Sequence, residues 1–228
     1  MKKLFLIPAR GGSKGLSRKN ILPLAGRPMI EYTLDAARGA MEEGDELCVS
    51  TDDREIIQVV ENYGVKVPFI RPARLASDTA SSQEVIEHAL MWYLEKNQTF
   101  DLIVLLQVTS PLRHANHVKK ALALWAPGID MVVSVKETDS NPYYVLFEED
   151  SNGFLHKSKK ANFTRRQDCP EVYEVNGAIY VMSISSIKNK GILSFNKKIK
   201  FKMSKKSSLD IDDYVDFKLA EILIKNRI

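Results

Sequence analysis

The chain has 228 residues, 44% of them apolar and 27% charged, with a net charge of +4. That balance suits one globular domain with an ample core and excludes a disordered chain. No apolar run approaches the roughly 20 residues a bilayer-spanning helix needs, which excludes a membrane span, and the two cysteines, Cys48 and Cys169, are far apart without zinc-like spacing, as expected of a cytoplasmic protein.

The apolar run at the start ends at Pro8, too soon for a leader, so Leu4–Ile7 reads as a buried first strand. Pro28 opens a helix on which Met29, Ile30, Thr33, Leu34 and Ala37 recur at helical spacing. The pattern then gives a strand over Glu46–Ser50, a helix over Arg54–Asn62, a short strand over Val65–Ile70 interrupted by Pro68, and a long helix over Ser81–Lys96. Leu102–Leu106 is the clearest buried strand, followed by a helix over His114–Trp125 and a strand over Met131–Val135. Such alternation predicts an α/β fold with a doubly wound, mostly parallel sheet, in which ligands bind beyond the carboxyl ends of the strands. Residues 137–170 are polar and turn-rich, with extended pieces at Tyr143–Phe147 and near Gly153, and read as an insertion. A core strand returns over Gly177–Met182, and Asp212–Ile224 reads as a closing helix, so the chain is expected to form a single domain.

Five segments carry candidate chemistry. After the first strand comes Pro8-Ala9-Arg10-Gly11-Gly12-Ser13-Lys14-Gly15-Leu16-Ser17-Arg18-Lys19-Asn20. Small residues such as Gly11 and Ser13 let backbone N–H groups approach a phosphate chain, and Arg10, Lys14, Arg18 and Lys19 add positive charge. The spacing matches neither a P-loop nor the dinucleotide fingerprint. Arg71 to Ser82 places small residues, Ala80 and Ser82 among them, beside an arginine, and Ser81 with Glu84 fits a capping box. Gln107-Val108-Thr109-Ser110-Pro111-Leu112-Arg113 follows the best strand, where amides and hydroxyls bind polar substrates or cap the next helix. Arg165-Arg166-Gln167-Asp168, with Asn176-Gly177-Ala178-Ile179-Tyr180 after it, offers arginines that suit a carboxylate. In Ser208-Leu209-Asp210-Ile211-Asp212-Asp213, an extended chain points Asp210 and Asp212 to one side, as a magnesium ion shared with substrate phosphates requires, while an acidic residue also caps the last helix.

Residues 151–206 hold thirteen basic against three acidic side chains. That excess attracts anions or is a solvated surface; few aromatics interleave the lysines, so nucleic acid is not the expected partner. His114 and His117 stand three apart on a helix, but no third soft ligand is near in sequence, so a metal centre is not expected there.

Taken together, ARGGSKGLSRKN, STDD, RPARLASDTASS, LLQVTSPLR, TRRQD, NGAIYV and SLDIDD resemble, in order, the acylneuraminate cytidylyltransferase family. The resemblance implies a nucleotide-diphospho-sugar transferase-like, Rossmann-like fold and a homodimer in which 137–170 is the dimerisation element. It implies transfer of CMP from CTP to an acidic nine-carbon sugar, with release of pyrophosphate and Mg²⁺ or Mn²⁺ as cofactor. Arg10, Lys19 and Arg166 would then serve catalysis; Arg10, Gly11, Ser13, Asn20, Arg71, Ala80 and Ser82 the nucleotide; Gln107, Arg166, Asn176 and Tyr180 the sugar; and Asp210 and Asp212 the metal. Val108, Glu174 and Tyr144 depart from the family pattern, and the last two leave open which nonulosonic acid is used. The rival expectations are the eight-carbon sugar Kdo or another nucleotide as substrate, and a sugar-nucleotide-binding module without turnover.

Overall fold

The computed structural model describes residues 1–12 and 15–226. Strand β1 (Lys3–Pro8) is buried along Lys3–Ile7 because both its faces meet helices. A two-residue turn at Ala25 and Gly26, both with positive φ, joins β2 (Pro23–Leu24) to β3 (Arg27–Pro28) and leads into helix α1 (Met29–Arg38). Strand β4 (Glu46–Ser50) passes to helix α2 (Arg54–Asn62), whose N-cap Asp53 accepts from the N–H groups of Glu55 and Ile56. Helix α3 (Ser82–Leu94) opens on the expected capping box of Ser81 and Glu84. Then come β5 (Leu102–Leu105), α4 (Ala115–Leu122), β6 (Met131–Glu137), the hairpin β7 (Phe147–Glu149) and β8 (Leu155–Lys157), β9 (Tyr173–Ser183), α5 (Ile184–Lys190), β10 (Lys198–Lys202) and α6 (Tyr214–Lys225).

Six strands form the central sheet in the order β10-β6-β9-β5-β1-β4. β1 runs parallel to β4 and β5, and β10 parallel to β6, while β9 runs antiparallel to both its neighbours. Helices α1, α2, α4 and α6 pack one core against one face through residues such as Leu34, Val60, Val118 and Phe217. Helices α3 and α5 build a second core on the other face with Ile86, Tyr93 and Ile187. The doubly wound, mostly parallel sheet is therefore as the alternation predicts.

Several boundaries differ. The strand expected over Val65–Ile70 is absent: only Ile70 makes an isolated bridge, to Thr51, because Pro68 lacks the N–H a ladder needs. The lysine-rich stretch contains an edge strand, β10, in which Lys198, Lys200 and Lys202 alternate with Ile199 and Phe201. α4 stops at Leu122, β9 begins four residues before Gly177, and α6 starts at Tyr214 with Asp213 as its cap. In the insertion, the hairpin pairs only with itself and leaves Phe147, Phe154 and Leu155 exposed. Both cysteines are free; burial pushes the Cys48 thiol up to about 12, which makes it inert.

Asp130, just before β6, ties the far end of the sheet together. Its carboxylate accepts from Lys190 Nζ (2.8 Å), Ser186 Oγ (2.8 Å) and the N–H groups of Asn196 (3.2 Å) and Lys197 (3.0 Å). These bonds, that from Lys190 first, hold its carboxyl well below the ordinary range. Because the folded pKa is depressed, the stabilisation is present above the unfolded carboxyl pKa and is lost as pH falls toward the folded one. Asp130→Asn is expected to lower the thermal midpoint by several degrees at pH 7, with the gap to wild type starting to close only as pH falls below about 4. Scanning calorimetry across that range tests this, and a gap that widens in acid would contradict it.

Candidate active site

The site is assembled where β1, β5 and β6 end and β9 begins. Ala9 N–H still bonds Ser50 O (2.9 Å), after which the chain leaves the sheet. Gly11 N–H donates to Asp52 Oδ1 (3.0 Å), and a Cβ on Gly11 would stand 2.5 Å from Asp53 Oδ2, so only glycine fits. Asn20 Nδ2 donates to Arg10 O (2.8 Å) and fixes the loop from its far side. Arg18 turns away: its Nη2 pairs with Asp53 (2.9 Å) and Glu55 (2.8 Å). Ser13 and Lys14 lie outside the described residues.

Lys19 turns the other way. Its Nζ donates to Ile211 O (2.7 Å) and stands 3.5 Å from Asp212 Oδ1. Gly15 packs against the same segment, close enough that a Cβ there would lie 2.1 Å from Asp212 O. The basic loop and the acidic segment, far apart in sequence, are thus buttoned together.

On the loop side lies a cleft of about 490 Å³ lined by Arg10, Gly12, Lys19, Asn20, Arg71, Ala80, Ser82, Gln107 and Asp212, with Ser77 and Asp78 on its lip. Arg10 Nη1 pairs with Asp78 (2.7 Å). Arg71 is buried: its Nε donates to Ser50 Oγ (3.0 Å), its Nη2 to Ser50 O, and its Nη1 to Leu75 O (3.4 Å). Arg71 therefore braces the wall made by residues 72–80, and burial lowers its pKa.

Beyond Gln107 and Asp212 lies a second cleft of about 640 Å³, lined by Lys136, Asp139, Glu174, Asn176, Gly177, Tyr180, Lys205 and Asp210 as well as those two residues. Gly177 has φ +73°, and a Cβ there would stand 2.9 Å from Gln107 Oε1, so the bare backbone makes room for the glutamine amide. Burial raises the Tyr180 phenol, with Asp210 adding to the effect. The cations here are already paired: Lys136 with Glu174 (3.1 Å), and both Lys205 and Arg166 with Asp139. Those partners, Lys205 first, hold the Asp139 carboxyl below its usual range.

The two clefts bring together Arg10, Lys19, Asn20, Arg71, Ala80, Ser82, Gln107, Asn176, Tyr180, Asp210 and Asp212. Gly11 sits just behind the loop, on Asp52. Arg166 does not line either cleft; it stands at the rim of the second, more than half exposed, and reaches it through Asp139 (2.9 Å). Asn176 departs from its expected role in one respect: its amide is used inside the protein. Its Oδ1 accepts from Ser134 Oγ (2.6 Å), and its Nδ2 donates to Ser208 Oγ (2.7 Å) and faces Met203 Sδ (3.6 Å). Sequence reasoning missed Lys136, Asp139 and Lys205. Lys136 stands at the carboxyl end of β6, directly after its apolar run, a position that favours ligands; Lys205 carries no comparable local signal.

Asp210 and Asp212 are the residues fit to hold a divalent cation. Asp210 Oδ1 is buried with no hydrogen-bond partner among the described residues. Burial, followed by the nearby charge of Asp212, raises the Asp210 pKa against a bond from Thr109. A buried carboxylate oxygen lacking a donor suits a cation. Among the described residues no group of three or more His, Cys, Asp or Glu side chains forms a metal cage, so two carboxylates would share the ion with a ligand's phosphates, as magnesium favours. His114 and His117 form a stacked pair with centroids 3.8 Å apart, in which burial pushes His117 down to about 4.

A family model described as Cytidylyltransferase matches residues 4–228. An N-acylneuraminate cytidylyltransferase of Streptococcus agalactiae is 36% identical over 95% of this chain, which spans about half (52%) of that protein. A CMP-N,N'-diacetyllegionaminic acid synthase of Legionella pneumophila is 34% identical over 99% of this chain and 97% of its own length. A solved CMP:2-keto-3-deoxy-manno-octonic acid synthetase, complexed with CTP, superposes with a TM-score of 0.71 at 17% identity, covering 100% of both chains, and so shares the fold.

Asp210→Asn removes a buried negative charge, one oxygen of which lacks a hydrogen-bond partner among the described residues. The apo variant is expected to melt no lower than wild type, and millimolar Mg²⁺ is expected to raise the melting point of the wild type by a few degrees but not that of the variant. Thermal scans with and without Mg²⁺ test this. An equal Mg²⁺-induced rise in both proteins would remove Asp210 from the cation site.

Proposed function

Because this chain belongs to the cytidylyltransferase family, we propose that it transfers CMP from CTP to an acidic nine-carbon keto sugar of the N-acylneuraminate or legionaminate kind, releasing pyrophosphate. The observation that carries the reading is the closure of the basic loop on the acidic segment through Lys19, which sets two clefts side by side. One suits a nucleoside triphosphate and the other a polar, acidic sugar.

The anomeric hydroxyl of the sugar attacks the α-phosphorus of CTP, forming the new P–O bond as the bond to pyrophosphate breaks and the hydroxyl proton leaves to solvent. Such a displacement depends on positioning and charge neutralisation rather than on a protein nucleophile. Arg10 and Lys19 offset charge on the phosphate oxygens, and the loop N–H groups steady the chain of phosphates. Asn20 keeps that loop in shape through Arg10 O. Arg71 braces the wall, with Ala80 and Ser82, that receives cytosine and ribose. Gln107 and Tyr180 orient the sugar, and Arg166 with Lys205 draws its carboxylate toward the rim. A Mg²⁺ held by Asp210 and Asp212 would supply further charge neutralisation at the phosphates.

The exposed apolar side chains of the β7–β8 hairpin support association of two copies through residues 137–170. The free thiols of Cys48 and Cys169 support a reducing, cytoplasmic setting. Among the described residues no helix is long and apolar enough to cross a membrane.

A pyrophosphate-release assay with CTP fixed and the acidic sugar varied is expected to show turnover with nonulosonic acids and little with Kdo. Lys19→Met and Asp212→Ala should each lower kcat/KM by about a hundredfold or more. Near-normal rates in either variant would break the link between cleft and reaction. Phe154→Glu combined with Leu155→Glu should convert a dimer to a monomer by light scattering; a monomeric wild type would end the dimer reading.

A further inference from the structure

Arg113 closes the turn after β5, its N–H bonded to Ser110 O (3.3 Å). It is 1% exposed, the largest of the fully buried side chains. Its Nη1 donates to Gln107 O (2.9 Å) and Ala178 O (3.2 Å), while Nε and Nη2 have no partner among the described residues. Burial lowers its pKa to about 9, which leaves it charged at neutral pH. A buried cation without a counter-ion is costly to a fold, so its retention calls for a reason beyond packing.

The two carbonyls it bridges supply one. The β5–β9 ladder pairs Leu102 with Ser183 and ends with Leu105 opposite Tyr180. Continued by two residues, the same register would put Gln107 opposite Ala178. The guanidinium therefore occupies the place of the next rungs, facing two acceptors at once. On the other side of β9 the register also slips between Val133 and Val135, and Ser134 Oγ takes the N–H of Ile179 (2.8 Å). Side chains thus relieve β9 of both neighbours over Asn176–Ile179. In that released segment Gly177 lies bare against Gln107 Oε1 at the border of the two clefts.

We propose that Arg113 is a positioning residue for the sugar half of the site, a charged wedge that holds the ends of β5 and β9 apart so that the Gln107 amide lies over Gly177. This rests on the cytidylyl-transfer reading above. Without the wedge the strands zip further or the 107–113 turn shifts, and the glutamine amide leaves the sugar cleft. The wall braced by Arg71 is held by its own bonds to Ser50 and Leu75 and is left in place.

The test compares wild type, Arg113→Met, Arg113→Lys, Gln107→Ala and the Arg113→Met/Gln107→Ala double variant. Pyrophosphate release is measured against CTP and the best acidic sugar, and CTP binding by calorimetry. Arg113→Met is expected to lower kcat/KM for the sugar roughly ten- to hundredfold while Kd for CTP stays within about threefold, and Arg113→Lys to recover part of the loss. The double variant should be no worse than the poorer single one, because both act through one amide. Should Arg113→Met fail to fold, Arg113→Lys is read by the same split. Parallel losses for CTP and sugar, or losses that multiply in the double variant, would overturn the wedge. A wild type that releases no pyrophosphate with any acidic sugar overturns the transfer reading itself, whereas an active wild type with unsplit constants overturns only the role of Arg113.

Discussion

The contact on which the site depends is the bond from Lys19 Nζ to Ile211 O, 2.7 Å long and spanning 192 residues of sequence. It draws the glycine-rich loop against the segment that carries Asp210 and Asp212. Cations and carboxylates that would repel or attract substrate separately are set on two sides of one opening. Only glycine at position 15 allows so close an approach, since any side chain would meet the Asp212 carbonyl. The ammonium of Lys19 is mostly enclosed, so its interaction with the carbonyl is less screened than a surface pair would be.

The sheet makes this possible through one reversed strand. In a wholly parallel sheet, the carboxyl ends of all strands supply the ligand loops. Here β9 runs against β5 and β6, so its first eight residues, Tyr173 to Tyr180, are delivered to the same edge as their last residues. Gly177 and Tyr180 reach the site as strand residues rather than loop residues, which gives the second cleft a firm floor. Asn176, engaged with Ser134 and Ser208, anchors that floor to the segment leading to Asp210.

Much of this was legible from residue order. Buried strands at Leu4–Ile7 and Leu102–Leu106 announce themselves by unbroken apolar runs, and Ser81 with Glu84 by cap chemistry. The strand β10 was hidden because its lysines outnumber its apolar residues, as an unpaired edge permits. The expected strand at Val65–Ile70 failed because one proline outweighs a favourable composition. At the site, the clusters around Arg10, Arg71, Gln107 and Asp210 could be found from their places after strands or before helices. That Asn176 spends its amide internally, that Arg166 stands one residue back from the cleft, and that Lys205 reaches it are consequences of tertiary neighbours, which short-range spacing does not encode.

The lysines of β10 bear on how copies of this chain can meet. β10 is the last strand on its side of the sheet, and its outward N–H and C=O groups could otherwise template a further strand. Edge-on joining of two sheets there would set Lys198, Lys200 and Lys202 of one molecule against the same three ammonium groups of the other, a concentration of like charge with no carboxylates interleaved along the strand. Growth of an endless ribbon of sheets is thereby discouraged at this border.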